Sequence, residues 1–468
     1  MPARSWGVLA VLCGAIFLEG IDVAMLNVAL PSIRADLGLS TGTLSGVVSA
    51  YVLGYGGFML LGGRAADLLG RRRMFLLWLG VFLVFSGLGG FAGEGWILLV
   101  ARFVTGVAAA FMTPAGLSLI TTTFPEGRHR NRALLIYAGT AAGGFALGLV
   151  VGGLLTAFGW RWVFFAPVLM SAAILLAAIP LLKEPAAHRP PAGGFDVAGA
   201  ISITGAMMLI VYGVVRLEQP ADGWPLTVAV FAGGLALLAA FVAVERRSAN
   251  PLVRLGLLRS GPLVRANLMA ALLTASFFGF QFLITLYLQE LRGWSTIQTG
   301  LALLAAAADV VLAPTLTPWL VNRYGNAKVV LTGLLSGLLA FALFLGVGLD
   351  WTYAAMLPSM LLIGLMFAFV YGPLTIVATD GIEEHEQGLA GGLINSSFQF
   401  GAALGLSVVT AVNVAALGAA TTPEAGLTAL RTALVVPVAA TLLAAVIAVA
   451  GLLARTRTPA EDRVPVEA

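Results

Sequence analysis

Two carboxylic acids, Glu19 and Asp22, stand three residues apart in the apolar run FLEGIDVAMLNVALP, residues 17–31. At i and i+3 of a helix they project from one face. A charged side chain at mid-bilayer costs roughly 2.5–3.5 kcal/mol on insertion scales, so the two acids must face a cavity or a partner rather than lipid. Carboxyls this close in a low dielectric bind and release protons as a coupled unit, chemistry suited to proton coupling. The alternative role is structural, with Asp22 bonded to Asn27 or to a neighbouring helix. Arg102 is the one basic residue inside an apolar segment. It is either a switchable charge partner for the acids or one arm of a static salt bridge. Asp309, in LALLAAAADVVLAP, is a third deep acid. If it faces Glu19 across a central cavity, a proton and a cation compete for the same carboxylates and their exchange becomes obligatory.

The elements that must position these groups follow from composition. The chain is 59% hydrophobic and 10% charged, with mean hydropathy +0.98, far from the roughly 25% charged of a soluble domain. Apolar windows recur at 7–31, 43–63, 74–92, 96–122, 133–157, 162–182, 196–216, 224–244, 264–289, 297–320, 328–348, 352–378, 389–416 and 430–454. Each suffices to cross about 30 Å of hydrocarbon as a helix. This reading gives an all-α polytopic membrane protein with fourteen transmembrane helices and both termini on one side. Placing the termini inside puts 20 of the 26 basic residues in inner segments and five in outer ones, so the termini are expected in the cytoplasm. The first apolar segment runs past signal-peptide length and is read as a retained span.

Several function classes are disfavoured by the same survey. The basic residues sit in short loops, where orientation in the membrane explains them, so no nucleic-acid partner is expected. Cys13 is alone and falls in a helix among small residues, an inert buried thiol. His129, His188 and His385 lie in separate loops without metal-ligand spacing, and no phosphate-binding G-x-x-x-x-G-K-[ST] loop occurs. No metal, no cofactor and no enzymatic site are therefore expected.

An internal echo organises the spans. AADLLGRRR, residues 65–73, is matched by LVNRYGNAK, residues 320–328, with Gly70 against Gly325 and Asp67 against Asn322. The Pro- and Gly-rich stretch 183–196 looks like a linker. The expected organisation is a six-helix bundle in 1–182, a linker with two inserted helices in 183–262, a second six-helix bundle in 263–456 and a tail in 457–468. Gly144, Gly148 and Gly152 recur every four residues, with Gly153 alongside, and make one helix face smooth enough for a neighbour to pack closely or pivot. The ninth span carries Phe277, Phe278, Phe280, Gln281, Tyr287 and Gln289, and the thirteenth carries Asn395, Phe398 and Gln399. Aromatic walls with a few amides suit bulky apolar solutes, cations included.

These motifs together resemble the major facilitator superfamily, in particular its fourteen-helix drug/proton antiporter branch. GGRAADLLGRRR is similar to the loop motif G-x-L-A-D-R-x-G-R-[KR], with Gly63, Asp67, Gly70, Arg71 and Arg72 in place but Ala65 for Leu and Leu68 for the first Arg. IDVAMLNVALP resembles the branch's first-helix signature, Asp22 and Asn27 matching. RFVTGVAAA resembles the fourth-helix motif with Thr105 for Gln, and GFALGLVVGG the fifth-helix antiporter motif with Leu149 for Pro. Phe398 stands where that branch commonly has Arg. The resemblance implies a major facilitator fold, two six-helix bundles plus two inserted helices, around a central cavity. It implies a proton-coupled antiporter exporting drug-like or antibiotic compounds by alternating access, with protons and a small-molecule substrate as partners. Glu19, Asp22, Arg102 and Asp309 are then the proton-coupling candidates, and Gly63, Asp67, Gly70, Arg71 and Arg72 a conformational gate. Export of one specific metabolite is the competing reading; a membrane enzyme or receptor is the reading from another class. A monomer in a bacterial inner membrane is expected.

Overall fold

The computed structural model describes residues 3–124, 128–182, 196–216, 224–248, 256, 260–379 and 387–457. Within them the chain forms helices α1 (Ala3–Leu37), α2 (Thr41–Leu69), α3 (Arg71–Gly90), α4 (Gly95–Thr123), α5 (Arg128–Phe158), α6 (Trp162–Leu181), α7 (Val197–Arg216) and α8 (Trp224–Glu245). They continue as α9 (Gly261–Leu286), α10 (Thr296–Leu303), α11 (Asp309–Tyr324), α12 (Asn326–Phe344), α13 (Tyr353–Thr379), α14 (Gln387–Leu417), α15 (Pro423–Ala433) and α16 (Val435–Arg457). Eleven stretches among the described residues are long and apolar enough to cross a membrane. A helix is the form in which each such segment satisfies its own backbone away from water. Starts are marked by hydroxyl caps: Ser40 accepts from the Thr43 amide, and Ser295 and Gln298 form a reciprocal capping box at α10.

The echo in sequence is an echo in geometry. Gly70 alone joins α2 to α3, and Gly325 alone joins α11 to α12, with φ of +102° and +82°. A side chain is strained in that region, so glycine permits the one-residue reversal. A second correspondence lies in packing. Gly144, Gly148 and Gly152 of α5 lie against the α1 backbone at Phe17, Ile21 and Met25, while Gly401 and Gly405 of α14 lie against the α9 backbone at Ala271 and Ala275. In both cases glycines four apart remove the side chains from one face, so two helices approach until backbone meets backbone.

The remaining faces of those helices meet the opposite set. Thr296 of α10 donates to the Gly153 carbonyl of α5 at 3.0 Å, and Gly300 packs on Leu149. Across the other seam Ser49 and Ser407 lie 3.4 Å apart, and Gly56 of α2 crosses α14 at Gln399. The hairpin α7–α8 docks through α7 onto α2 and α14, where the Thr204 hydroxyl donates to the Gly57 carbonyl at 2.7 Å.

One expected helix is not continuous. The segment expected over 297–320 is α10, a tight 3-10 stretch at Leu304–Ala308, then α11, with Ala307 at φ −88°, ψ 17°. Asp309 therefore begins α11 instead of sitting mid-helix, and is partly exposed. The expected last span is likewise divided, at Leu434, into α15 and α16.

Candidate functional site

Three helices build a buried polar site in the first half. α1 presents Glu19 and Asp22 on one face; both are buried, at 7% and 1% exposure. α4 presents Arg102 and Thr113, eleven residues apart, which is close to three whole turns and so one face. α2 adds Tyr51 and Tyr55 at i and i+4, their rings 6.0 Å apart and edge to face.

The two acids have different partners. Arg102 Nη1 donates to Asp22 Oδ2 at 2.6 Å, with both side chains 2% exposed. The guanidinium also stands over the Tyr51 ring, 4.4 Å from its centre, a cation–π contact that eases its burial. Among the described residues Arg102 Nε and the Tyr51 hydroxyl are buried without a hydrogen-bond partner. Glu19 is held instead by neutral hydroxyls. Thr113 donates to Glu19 Oε2 at 2.6 Å, and the Tyr55 phenol hydrogen-bonds the same carboxyl. Among the described residues no basic side chain pairs with Glu19. Asn27, the structural partner considered for Asp22, donates instead to the Val23 carbonyl at 3.0 Å, a bond internal to α1.

An aromatic array runs along the second half and across the seam. Phe145 of α5 meets Phe278, which meets Phe277; Phe277 meets Phe367 at 4.7 Å, and Phe367 stacks on Tyr371 at 5.1 Å. Tyr371 stacks in turn on Phe398 at 4.3 Å. Phe277, Phe278 and Phe398 are thus brought together. Asn395 is part-buried one turn before Phe398, and Gln399 lies at the α2 crossing. Phe280 packs against Phe341 and Phe344 within the second half. Gln281 is 5% exposed, and its Oε1 has no partner among the described residues.

Tyr287 and Gln289 are not brought to this array. Tyr287 donates to the Gly348 carbonyl at 2.6 Å, and Gln289 donates to the Val28 carbonyl of α1 at 2.9 Å. In this arrangement the Tyr287 hydroxyl and Gln289 Nε2 are engaged by carbonyls within the protein. Asp309 is not among the groups bonded to Glu19, whose partners are Thr113 and Tyr55.

Gate residues divide similarly. Arg72 donates through Nε and Nη2 to the Leu182 and Ile179 carbonyls at 2.8 and 2.9 Å, capping the end of α6. Gly63 faces Pro114, and Gly70 makes the reversal described above. Arg71 lies beside it at the start of α3. The side chain of Asp67 lies outside the described residues.

Sequence reasoning missed Thr113, Tyr51, Tyr55, Phe145, Phe367 and Tyr371. The i, i+4 tyrosines were a legible signal, since two phenols on one face of an apolar helix need partners. Thr113 gave none: a threonine in an apolar helix ordinarily bonds its own backbone.

Among the described residues the chain is a helical bundle with a buried, partly unsatisfied charge cluster between its helices. The chain matches the Major Facilitator Superfamily over residues 12–406 and belongs to that family. It is 34% identical over 427 residues to the puromycin resistance protein of Streptomyces alboniger, covering 89% of this chain and 83% of that one. It is also 34% identical over 408 residues to the cephamycin export protein of Amycolatopsis lactamdurans, covering 86% and 84%. In fold it is similar to a bacterial homolog of the lysosomal transporter Spinster, with TM-score 0.68, 18% identity and full coverage of both chains. The chain is therefore a multi-pass membrane transporter of this superfamily.

Proposed function

We propose that this protein exports drug-like or antibiotic compounds from the cytoplasm in exchange for protons. The observation that carries the reading is the unequal treatment of the two acids. Asp22 is tied to a cation, and either partner left alone in the interior would be costly. Glu19 is tied to hydroxyls, which donate to a carboxylate or accept from a carboxylic acid equally well. Glu19 can therefore gain or lose a proton without orphaning a neighbour, and it is the proton-exchanging group. Asp22 and Arg102 respond to that change three residues away. Arg102 Nε and the Tyr51 hydroxyl supply unused bonding capacity for the response.

Alternating access follows from the two seams. The glycine faces hold α1 to α5 and α9 to α14 as units, while Thr296–Gly153, Ser49–Ser407 and Gln289–Val28 join the units. Rocking exchanges the second set and preserves the first. The organisation is two six-helix bundles, residues 1–182 and 263–456, with the α7–α8 hairpin inserted. The full count is fourteen spans in a bacterial inner membrane, both termini cytoplasmic, acting as a monomer. Phe277, Phe278 and Phe398 line the path of the solute, and Asp309 remains a proton-coupling candidate of the second half.

Relatives named for one antibiotic each, puromycin and cephamycin, favour a second reading in which the chain exports one compound. Proteoliposome flux with an imposed pH gradient tests the proposal. Wild type is expected to move solute against the proton flow, and Glu19→Gln is expected to bind solute without pH-driven accumulation. Unchanged pH-driven flux in Glu19→Gln refutes the assignment.

A further inference from the structure

Gln281 carries a polar atom that nothing in the fold explains. The side chain is 95% buried, counted from its 5% exposure, and among the described residues Oε1 meets no donor. It lines a narrow crevice whose other walls are apolar: Phe145 and Leu149 of α5 on one side, Phe277, Phe280, Leu303 and Ile363 on the other. An unsatisfied buried acceptor is destabilising, and a leucine or methionine would fill the same place without that cost.

Water is a poor answer to the orphan. The crevice has room for about one molecule, and buried waters typically make about three hydrogen bonds. Here a water would find the amide and otherwise aromatic and aliphatic walls. A better occupant brings one donor and covers the rest of the walls with apolar surface. Because the walls belong to opposite halves of the molecule, parting the seam widens the crevice enough to admit a larger body.

We propose that Gln281 Oε1 accepts a hydrogen bond from the transported compound, and that the crevice selects solutes whose flat apolar body carries an N–H or O–H donor. The inference rests on the export reading and specifies its substrate class. A site built around one acceptor discriminates against an analogue lacking the donor, because binding that analogue leaves the amide orphaned.

Two xanthylium dyes make the test: rhodamine 6G, a cation with two N–H groups, and tetramethylrhodamine ethyl ester, a cation of the same core with none. Their affinities for the full-length purified protein are measured by fluorescence polarisation. Wild type is expected to prefer rhodamine 6G by about tenfold, the value of one hydrogen bond at a desolvated acceptor. In Gln281→Leu the ratio is expected to fall to about one, while Gln281→Glu, which keeps an acceptor oxygen, retains a preference. Gln281→Met, of similar length, carries the same test if the leucine variant misfolds. A ratio that survives in the leucine or methionine variant, or a wild-type ratio of one, overturns this proposal alone. Binding of neither dye by the wild type overturns it together with the reading that drug-like compounds are the substrates.

Discussion

Replacing Asp22 by Asn should damage the protein in a way that replacing Glu19 by Gln does not. In the first case the Arg102 guanidinium, 2% exposed, loses the negative charge 2.6 Å away and keeps only a neutral amide oxygen and the Tyr51 ring at 4.4 Å. Removing one member of such a buried pair costs about 3–5 kcal/mol, against which the ring returns about 0.5–2 kcal/mol. The charge cannot be shed, because a guanidinium stays protonated. In the second case the amide oxygen of Gln still accepts from Thr113, so the fold should lose less than about 1 kcal/mol. The assay is thermal unfolding of detergent-purified variants followed by size-exclusion chromatography, with Asp22→Asn, Arg102→Gln, the double variant and Glu19→Gln side by side. Asp22→Asn should be the least stable single variant of α1. The double variant should recover part of the loss, since it leaves no charge without a partner. Equal stability of Asp22→Asn and wild type, or strict additivity in the double variant, would refute the reasoning that this pair fastens α1 to α4.

Further outcomes follow from other contacts. Arg34 Nη1 on α1 donates to both carboxylate oxygens of Glu290, just after α9, at 2.9 Å, and the pair joins the two halves at the end of α1 remote from the N-terminus. Arg34→Glu should increase labelling of a cysteine placed beside this pair, and the added swap Glu290→Arg should restore the wild-type labelling rate. At Gly148 a Cβ would stand 2.7 Å from the Ala24 Cβ and 2.8 Å from the Ile21 carbonyl. Gly148→Val should therefore cost about 1–3 kcal/mol by overpacking, seen as a lower unfolding temperature and loss of flux. Thr204→Val should loosen α7 from α2 by about 1 kcal/mol while leaving solute affinity intact, measured by proteolysis of the hairpin alongside dye binding.

Much of the architecture is legible without coordinates because it is written in local quantities. Hydropathy marks the spans, the AADLLGRRR echo anticipates the matched reversals at Gly70 and Gly325, and the spacing of Gly144, Gly148 and Gly152 anticipates the close approach to α1. The break at Leu304–Ala308 is not legible, since a run of alanines is a good helix former and gives no stop signal. Tyr287 and Gln289 show what residue type leaves out: a loop carbonyl holds the Tyr287 hydroxyl, and a helix across the seam holds Gln289 Nε2.

By itself the sequence determined that Glu19 and Asp22 share a helix face and must avoid lipid, because helical spacing and the cost of burying charge are properties of one segment. Only the tertiary structure decided that Asp22 takes Arg102 while Glu19 takes Thr113 and Tyr55, and that Gln281 Oε1 is left without a donor among the described residues. Which donor reaches which acceptor depends on how α1, α2 and α4 cross and rotate. Between α2 and α4 that follows backbone approach at Gly54, Gly62 and Gly106, and between α1 and α5 at Gly144, Gly148 and Gly152, and it leaves no trace in the spacing of the acids themselves.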